Sequence, residues 1–186
     1  MSINNSSMMA IPVNHPPQGI FHQPPMFEPV PWPVRCRIWV YVSNRAFETH
    51  EQSELAGRLS EFTANWSAHK LRLSAYSTIF LNQVIVLGVD EQIQSVSGCS
   101  IDSSVSFLKD CEAQWKVVLL DGGRLARYEA GCLTVESVAL ARQQVEKGVI
   151  NPHTWFFNSF AHNIEQLRGE PWLRASNKLF SRMLGM

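Results

Sequence analysis

Alternating apolar positions predict the strands of this chain. Ile38, Val40 and Val42 alternate with two aromatic residues, in a β-rich run typical of a strand that is covered on both faces. Residues 71–81 alternate in the same way and predict a second strand. After a polar pair that predicts a turn, the unbroken apolar run of residues 84–87 predicts a buried central strand.

Helical spacing of apolar residues separates these strands. Thr49 begins a four-residue sequence of capping-box form, and apolar residues then recur at steps of four, three and four up to Trp66. A second helix is predicted after Ser97, and residues 116–121 follow it as a fourth strand. The order βαββαβ predicts an α+β fold, a ferredoxin-like sandwich with both helices on one face of a four-stranded sheet.

The last third of the chain predicts additional C-terminal helices that cover the open face of this sheet. One helix is predicted from Thr134 as N-cap to Gly148, and residues 172–184 predict a closing helix. Between them lies an aromatic-rich segment whose large rings no single helix face can bury. This segment predicts either core packing or a homo-oligomer contact. Its rings are those of Trp155, Phe156, Phe157 and Phe160.

Proline density sets the start of the chain apart. Eight of the ten prolines fall within residues 1–34, where no helix or strand period is present. Because proline removes a backbone donor and restricts the residue before it, we predict a disordered, partly polyproline leader over residues 1–34. Residues 35–186 then form a single α+β domain. The apolar residues of the leader leave open that it docks on the domain or on a partner.

Composition narrows the classes of function and the compartment. The chain has 16 basic and 16 acidic residues, so no overall field attracts nucleic acid or an anionic membrane. The four cysteines form no Cys-x-x-Cys pair, and no metal site or cofactor is predicted. No apolar run approaches the roughly 20 residues that span a bilayer. The first 34 residues lack Lys and Arg, so no targeting leader is predicted and a cytoplasmic location is expected.

The candidate site is the segment of residues 97–104, where a loop becomes a helix. Free backbone N–H groups and the positive end of the helix dipole favour an anion there. Gly98 permits close approach of a ligand, and hydroxyl groups and a thiol are available to bind it. The candidate ligand-binding residues are Gly98, Cys99, Ser100, Ser103 and Ser104.

A catalytic interpretation of the same segment uses Cys99 as a thiol nucleophile. It requires a base and an orienting group, for which the sequence offers His69 and Asp102. The simpler alternative is a capped helix entry, because Ser and Asp commonly cap helices. Asp102 also repels an anion, so anion binding requires a Lys or Arg from elsewhere in the chain.

Short motifs between residues 38 and 104 carry a resemblance to a known family. They are Ile38-Trp39-Val40-Tyr41, Trp66-Ser67-Ala68-His69, Val89-Asp90-Glu91 and, above all, Ser97-Gly98-Cys99-Ser100-Ile101-Asp102-Ser103-Ser104. With them the chain resembles a family of small, uncharacterised bacterial proteins, some of which are labelled "ABC transporter ATPase". The resemblance implies no established activity. An ATPase of that class needs a Gly-x-x-x-x-Gly-Lys-Ser/Thr loop, and the chain contains no Gly-Lys pair, so a P-loop ATPase is excluded.

Two classes of function remain. The favoured one is a non-catalytic binding or protein-interaction module, which takes a protein partner or a small anionic ligand. The alternative is an enzyme that works at the helix entry, either through the Cys99 thiol or by holding an anionic group. The two differ in whether a base and a concave pocket lie beside Cys99.

Overall fold

The computed structural model describes residues 23–27 and 32–186. They form a mixed α+β fold with three antiparallel sheets. The helices are α1 (Thr49–Asn65), α2 (Gly98–Trp115), α3 (Val138–Glu146), α4 (Ile164–Gly169) and α5 (Lys178–Leu184). The strands are β1 (Arg37–Val42), β2 (Ser67–Ala68), β3 (Leu71–Arg72), β4 (Ala75–Phe80), β5 (Val84–Val89), β6 (Arg124–Glu129), β7 (Cys132–Ser137), β8 (Trp155–Phe157) and β9 (Trp172–Arg174). None of the helices in this described part is long and apolar enough to span a membrane.

The first sheet has the strand order β1-β5-β4, with β5 antiparallel to both neighbours. All six residues of β5 are buried, which confirms the predicted central strand. Both helices of this half pack on one face of the sheet, where Leu55 of α1 and Leu108 of α2 meet the odd-numbered side chains of β5. Trp39 and Tyr41 lie on the same side, and the predicted alternation in β1 is therefore confirmed.

The second face of this sheet is covered by the C-terminal third of the chain, but a sheet covers it in place of the predicted helices. The covering sheet has the order β7-β6-β8-β9. Its inner side chains, including Ala126, Phe157 and Trp172, pack against Ile38 and Val86. On its outer face, α3 and α5 form a third core cluster, which gives four layers in the order helix, sheet, sheet, helix.

The predicted fourth strand over residues 116–121 is wrong, and the ferredoxin-like sandwich is not confirmed. Lys116 adopts a left-handed conformation (φ 52°) that ends α2. The backbone N–H groups of Leu119 and Leu120 donate to the Glu112 carboxylate, at 2.6 and 2.9 Å. The N–H of Val118 donates to the Asn44 side chain. Because side chains take these donors, the segment forms no ladder along β1.

Two predicted helices and one predicted strand are corrected. Thr134 lies inside β7, since positive φ angles at Ala130 and Gly131 turn β6 into a hairpin with β7. The helix begins only after Ser137, whose side chain accepts from the Leu140 N–H. Residues 172–184 divide into β9, which pairs with β8, and α5. The predicted strand over residues 71–81 is likewise divided into β3 and β4.

The capping box of α1 lies one residue earlier than predicted. Glu48, and not Thr49, is the N-cap residue, and the Glu51 carboxylate accepts from the Glu48 N–H at 2.8 Å. Arg45 reaches the same carboxylate with both terminal nitrogens, at 2.7 and 2.8 Å, and donates to the Trp115 carbonyl at 2.6 Å. This arrangement ties the start of α1 to the end of α2.

The first three rings of the aromatic-rich segment lie in strand β8. In β8, Phe156 faces α5 while Phe157 faces the first sheet, and both are fully buried. A central strand buries two faces, which explains why no single helix face accommodated these rings. Phe156 and Phe157 are therefore core residues.

Part of the predicted leader packs into the core. Phe27 and Trp32 are buried between the sheets, and the Trp172 indole donates to the Pro25 carbonyl. Trp32 lies directly over Gly88, where an added Cβ would stand 2.8 Å from the indole ring. The remainder of the predicted leader, residues 1–22 and 28–31, lies outside the described residues.

Candidate functional site

The candidate segment is a capped helix start, as the sequence predicts. Ser97 is the N-cap of α2, and its side chain accepts from the Ser100 N–H at 3.2 Å. The Ser100 hydroxyl in turn accepts from the Ser97 N–H at 2.8 Å. This reciprocal pair satisfies backbone donors that the first turn of a helix otherwise leaves free.

The serine hydroxyls of the segment donate within their own helix. Those of Ser100, Ser103 and Ser104 donate to carbonyls three residues earlier, at 2.8, 2.7 and 2.7 Å. Ser100 and Ser104 are also buried. Ser104 bonds the Tyr41 hydroxyl, a contact that opposes the rise in the pKa of Tyr41 caused by burial. Ser100 and Ser104 thus connect α2 to the core, while Ser103 stays exposed.

A groove of about 550 Å³ runs between α1 and α2 and reaches this segment. Cys99 and Ser103 line it, and they are the members of the candidate segment that do so. The opposite wall comes from one face of α1 and from Ser67 of β2. The full lining is Arg58, Glu61, Phe62, Asn65, Trp66, Ser67, Cys99, Ser103 and Phe107.

Aromatic rings form the apolar part of the groove. Phe62 of α1 stacks on Phe107 of α2, with ring centroids 4.6 Å apart. The ring centroids of Trp66 and Phe62 lie 5.0 Å apart, and the Trp66 indole N–H donates to the Ser100 carbonyl at 2.8 Å. The aromatic wall is therefore fixed to the first turn of α2.

Arg58 brings a positive charge into the same groove. Its guanidinium lies 5.5 Å from the Phe107 ring and donates to the Gln114 side chain. Glu61 lies one turn along α1 and gives the rim one negative charge. Binding of an anion at the start of α2 requires a Lys or Arg from elsewhere in the chain to offset the repulsion of the anion by Asp102, and Arg58 is an arginine of this kind. The spacing of Arg58, Glu61, Phe62 and Asn65 places them on one face of α1, but any amphipathic helix shares this spacing, so the sequence carries no specific signal for this wall.

Five of the seven predicted site residues lie outside the groove lining, namely His69, Gly98, Ser100, Asp102 and Ser104. His69 occupies the turn between β2 and β3 with a positive φ of 51°, and it is exposed. Gly98 and Asp102 are exposed at the start of α2. The groove thus brings Cys99 together with Arg58 and Glu61, and its lining includes neither His69 nor Asp102. No group of three or more His, Cys, Asp and Glu residues in the described chain is placed to hold a metal ion.

Two of the four cysteines are exposed and two are buried, and this difference predicts how fast each thiol reacts. Cys99 and Cys132 are exposed, whereas Cys36 and Cys111 are buried, and burial raises the pKa of both buried thiols to about 11. We expect iodoacetamide to modify Cys99 and Cys132 in the native protein and to leave Cys36 and Cys111 unmodified until it unfolds. Peptide mass spectrometry measures each site. Rapid native labelling of Cys36 or Cys111 would contradict their placement in the core.

Comparison of the chain with protein-family models, with curated proteins and with solved structures finds no match. The bacterial family that the sequence resembles stays a prediction.

Proposed function

We propose that the protein is a non-catalytic binding module whose ligand occupies the groove between α1 and α2. The observation that carries this proposal is the groove of about 550 Å³ with an aromatic wall and a polar rim. Small-molecule sites commonly enclose roughly 300–1,000 Å³ and combine apolar walls with a few polar groups. This groove has both properties.

The lining indicates the chemistry of the ligand. The stacked rings of Phe62 and Phe107 favour a flat apolar group. Arg58 offers a planar fork of donors that suits a carboxylate or another anionic acceptor. The proposed ligand is therefore a small, flat, partly apolar molecule with an anionic group. A protein partner that presents an aromatic and an acidic side chain has the same chemistry.

Arg58 provides the sharpest test, with naphthoate as the probe. We expect calorimetry to show saturable binding by the wild type and roughly tenfold weaker binding by Arg58→Leu, since a hydrogen bond to a charged group contributes about 1.5 kcal/mol or more. Arg142→Leu is the matched control, because Arg142 is an exposed arginine on α3 outside the groove. Equal affinities of the wild type and Arg58→Leu, or equal losses in both variants, would contradict the proposal.

The alternative is a thiol enzyme, and one observation favours it. Cys99 is exposed and lines the groove, so a substrate could reach its sulfur. The groove offers Glu61 as a titratable neighbour and no histidine in its lining. Cys132, which is exposed on β7, serves as the internal standard. A Cys99 thiol alkylated many times faster than Cys132 at slightly acidic pH would favour the enzyme.

The free state of all four cysteines fits the reducing cytoplasm predicted from the sequence, and a cytoplasmic location is part of this proposal.

A further inference from the structure

Strand β4 forms one edge of the first sheet, and its outward backbone groups have no partner among the described residues. The Asp90 N–H donates to the Ser74 carbonyl, and the Gln83 N–H donates to the Phe80 carbonyl. These bonds show that the backbone N–H and C=O groups of the even-numbered residues of β4 point towards β5. The N–H and C=O groups of the odd-numbered residues therefore point away from the sheet. Within residues 23–27 and 32–186 these groups have no hydrogen-bond partner. They belong to Ala75, Ser77 and Ile79.

The opposite edge of the sheet, strand β1, is hydrogen-bonded to other segments of the chain. On β1, the Ile38 N–H donates to the His162 carbonyl at 3.0 Å. Just beyond the strand, the Asn44 N–H donates to the Val118 carbonyl. Other segments of the chain thus close both ends of the β1 edge, and no described segment does this for β4.

Strand β4 also lacks the features that normally protect an edge from pairing. Its sequence, Ala-Tyr-Ser-Thr-Ile-Phe, contains no charge and no proline. Its six residues pair with β5 in continuous register without a bulge, and all of them are partly exposed. Native edges are usually blunted by charge, proline, bulges or a cover, since a bare edge is a template for a further strand.

A groove borders this edge, and Ser77 and Ile79 of β4 line it. The groove has a volume of about 430 Å³ and lies between β4 and α1. On the helix side the lining of this groove is uncharged and mostly small, so no described charged side chain lines it. The helix residues are Ala56, Leu59, Ser60 and Thr63.

We infer that β4 pairs antiparallel with β4 of a second copy of this chain, across a two-fold axis. With Ser77 opposite its own copy and Ala75 opposite Ile79, three residue pairs face each other and each exchanges two hydrogen bonds. The two sheets then join into one of six strands. A second copy fits because one isologous contact pairs the β4 edges of both copies at once, and because an uncharged strand meets no like charge in its own copy.

Charge substitution at the axis tests this inference in the full-length protein. We expect the wild type to sediment as a dimer, and Ser77→Lys and Ser77→Glu each to sediment as monomers because like charges then face each other. Mixing the two variants restores a dimer, since the Lys and Glu side chains become opposite partners. Ser77→Ala, which retains the backbone donor and adds no charge, remains a dimer.

A second variant addresses the backbone directly. Ser77→Pro removes an outward N–H and leaves the ladder with β5 intact, as proline is tolerated at strand edges. It is expected to be a folded monomer by circular dichroism and sedimentation. A wild-type protein that is monomeric up to its solubility limit overturns the inference, as does a dimer that persists in Ser77→Lys and Ser77→Glu separately.

Discussion

Replacing Phe157 with alanine is expected to lower the free energy of unfolding by about 3–5 kcal/mol. The ring is fully buried between the two large sheets, with its centroid 5.7 Å from that of Phe80 and 5.2 Å from that of Trp172. Its removal leaves a cavity that the flanking strands cannot close, because the hydrogen-bond ladders hold them apart. Urea unfolding followed by circular dichroism measures the change.

Phe160→Ala is the matched comparison, since Phe160 is only partly buried and contacts Phe180 at the edge of the third core cluster. We expect a clearly smaller loss of stability. Neither substitution should alter the sedimentation behaviour of the protein. A change in association with little loss of stability in Phe157→Ala would support the intermolecular interpretation of this segment and contradict its place in the core.

Replacing Glu51 with glutamine is expected to lower the free energy of unfolding by about 2 kcal/mol. Glu51 receives both terminal nitrogens of Arg45 and the Glu48 N–H, and its side chain is 7% exposed. Glutamine keeps the shape but leaves Arg45 without its counter-charge. The cost stays below that of a fully buried pair because the Arg45 side chain is 38% exposed. Asp110→Asn on α2, which is exposed, is the control and should be nearly neutral.

The Glu51 contribution also has a defined pH dependence. The hydrogen bonds from Arg45, with those from Glu48 and the Arg45 charge, lower the pKa of Glu51 to about 2, against the opposing effect of burial. A lowered pKa stabilises the folded state fully above the unfolded value of 4.5 and loses this effect as the pH falls towards 2. The stability difference between wild type and Glu51→Gln should therefore be constant near neutral pH and shrink below 4.5. A difference that grows on acidification would contradict this ion pair.

The parts of the fold that follow from local pattern could be predicted. Strand β5 has an unbroken apolar run because both of its faces are covered, and α2 begins directly after Ser97 because a serine there can cap it. Where the spacing of apolar residues suits both a helix and a strand, the sequence does not distinguish the two elements. Residues 132–137 carry apolar side chains that suit either element, and the turn at Ala130 and Gly131 decided for a strand.

The missing fourth strand shows where local pattern fails. Residues 116–121 have a strand-like composition, but Glu112 and Asn44 bind their backbone donors. A carboxylate from the preceding helix and an amide from a distant loop are tertiary contacts, and no periodicity within the segment announces them. The division of residues 172–184 into β9 and α5 depends likewise on pairing with β8.

Two of the seven predicted site residues, Cys99 and Ser103, line the groove between α1 and α2. The sequence identified the wall that α2 provides through Cys99 and Ser103. It missed the α1 wall because Arg58, Glu61 and Phe62 have the ordinary composition of an amphipathic helix. Only the packing of α1 beside α2 makes that face one side of a groove. His69 was proposed from its place in the sequence, and the β2–β3 turn holds it outside the groove lining.

Titration of the isotopically labelled protein with naphthoate, followed by amide NMR, tests the central claim most directly. The proposed function predicts saturable shifts at Asn65, Ser67, Cys99 and Ser103, on both walls of the groove between α1 and α2. A second cavity beside Met26 and Trp172, of about 220 Å³, provides the comparison within the same spectrum. Shifts confined to that cavity, or no saturable shifts at all, would contradict the assignment of the α1–α2 groove as the binding site.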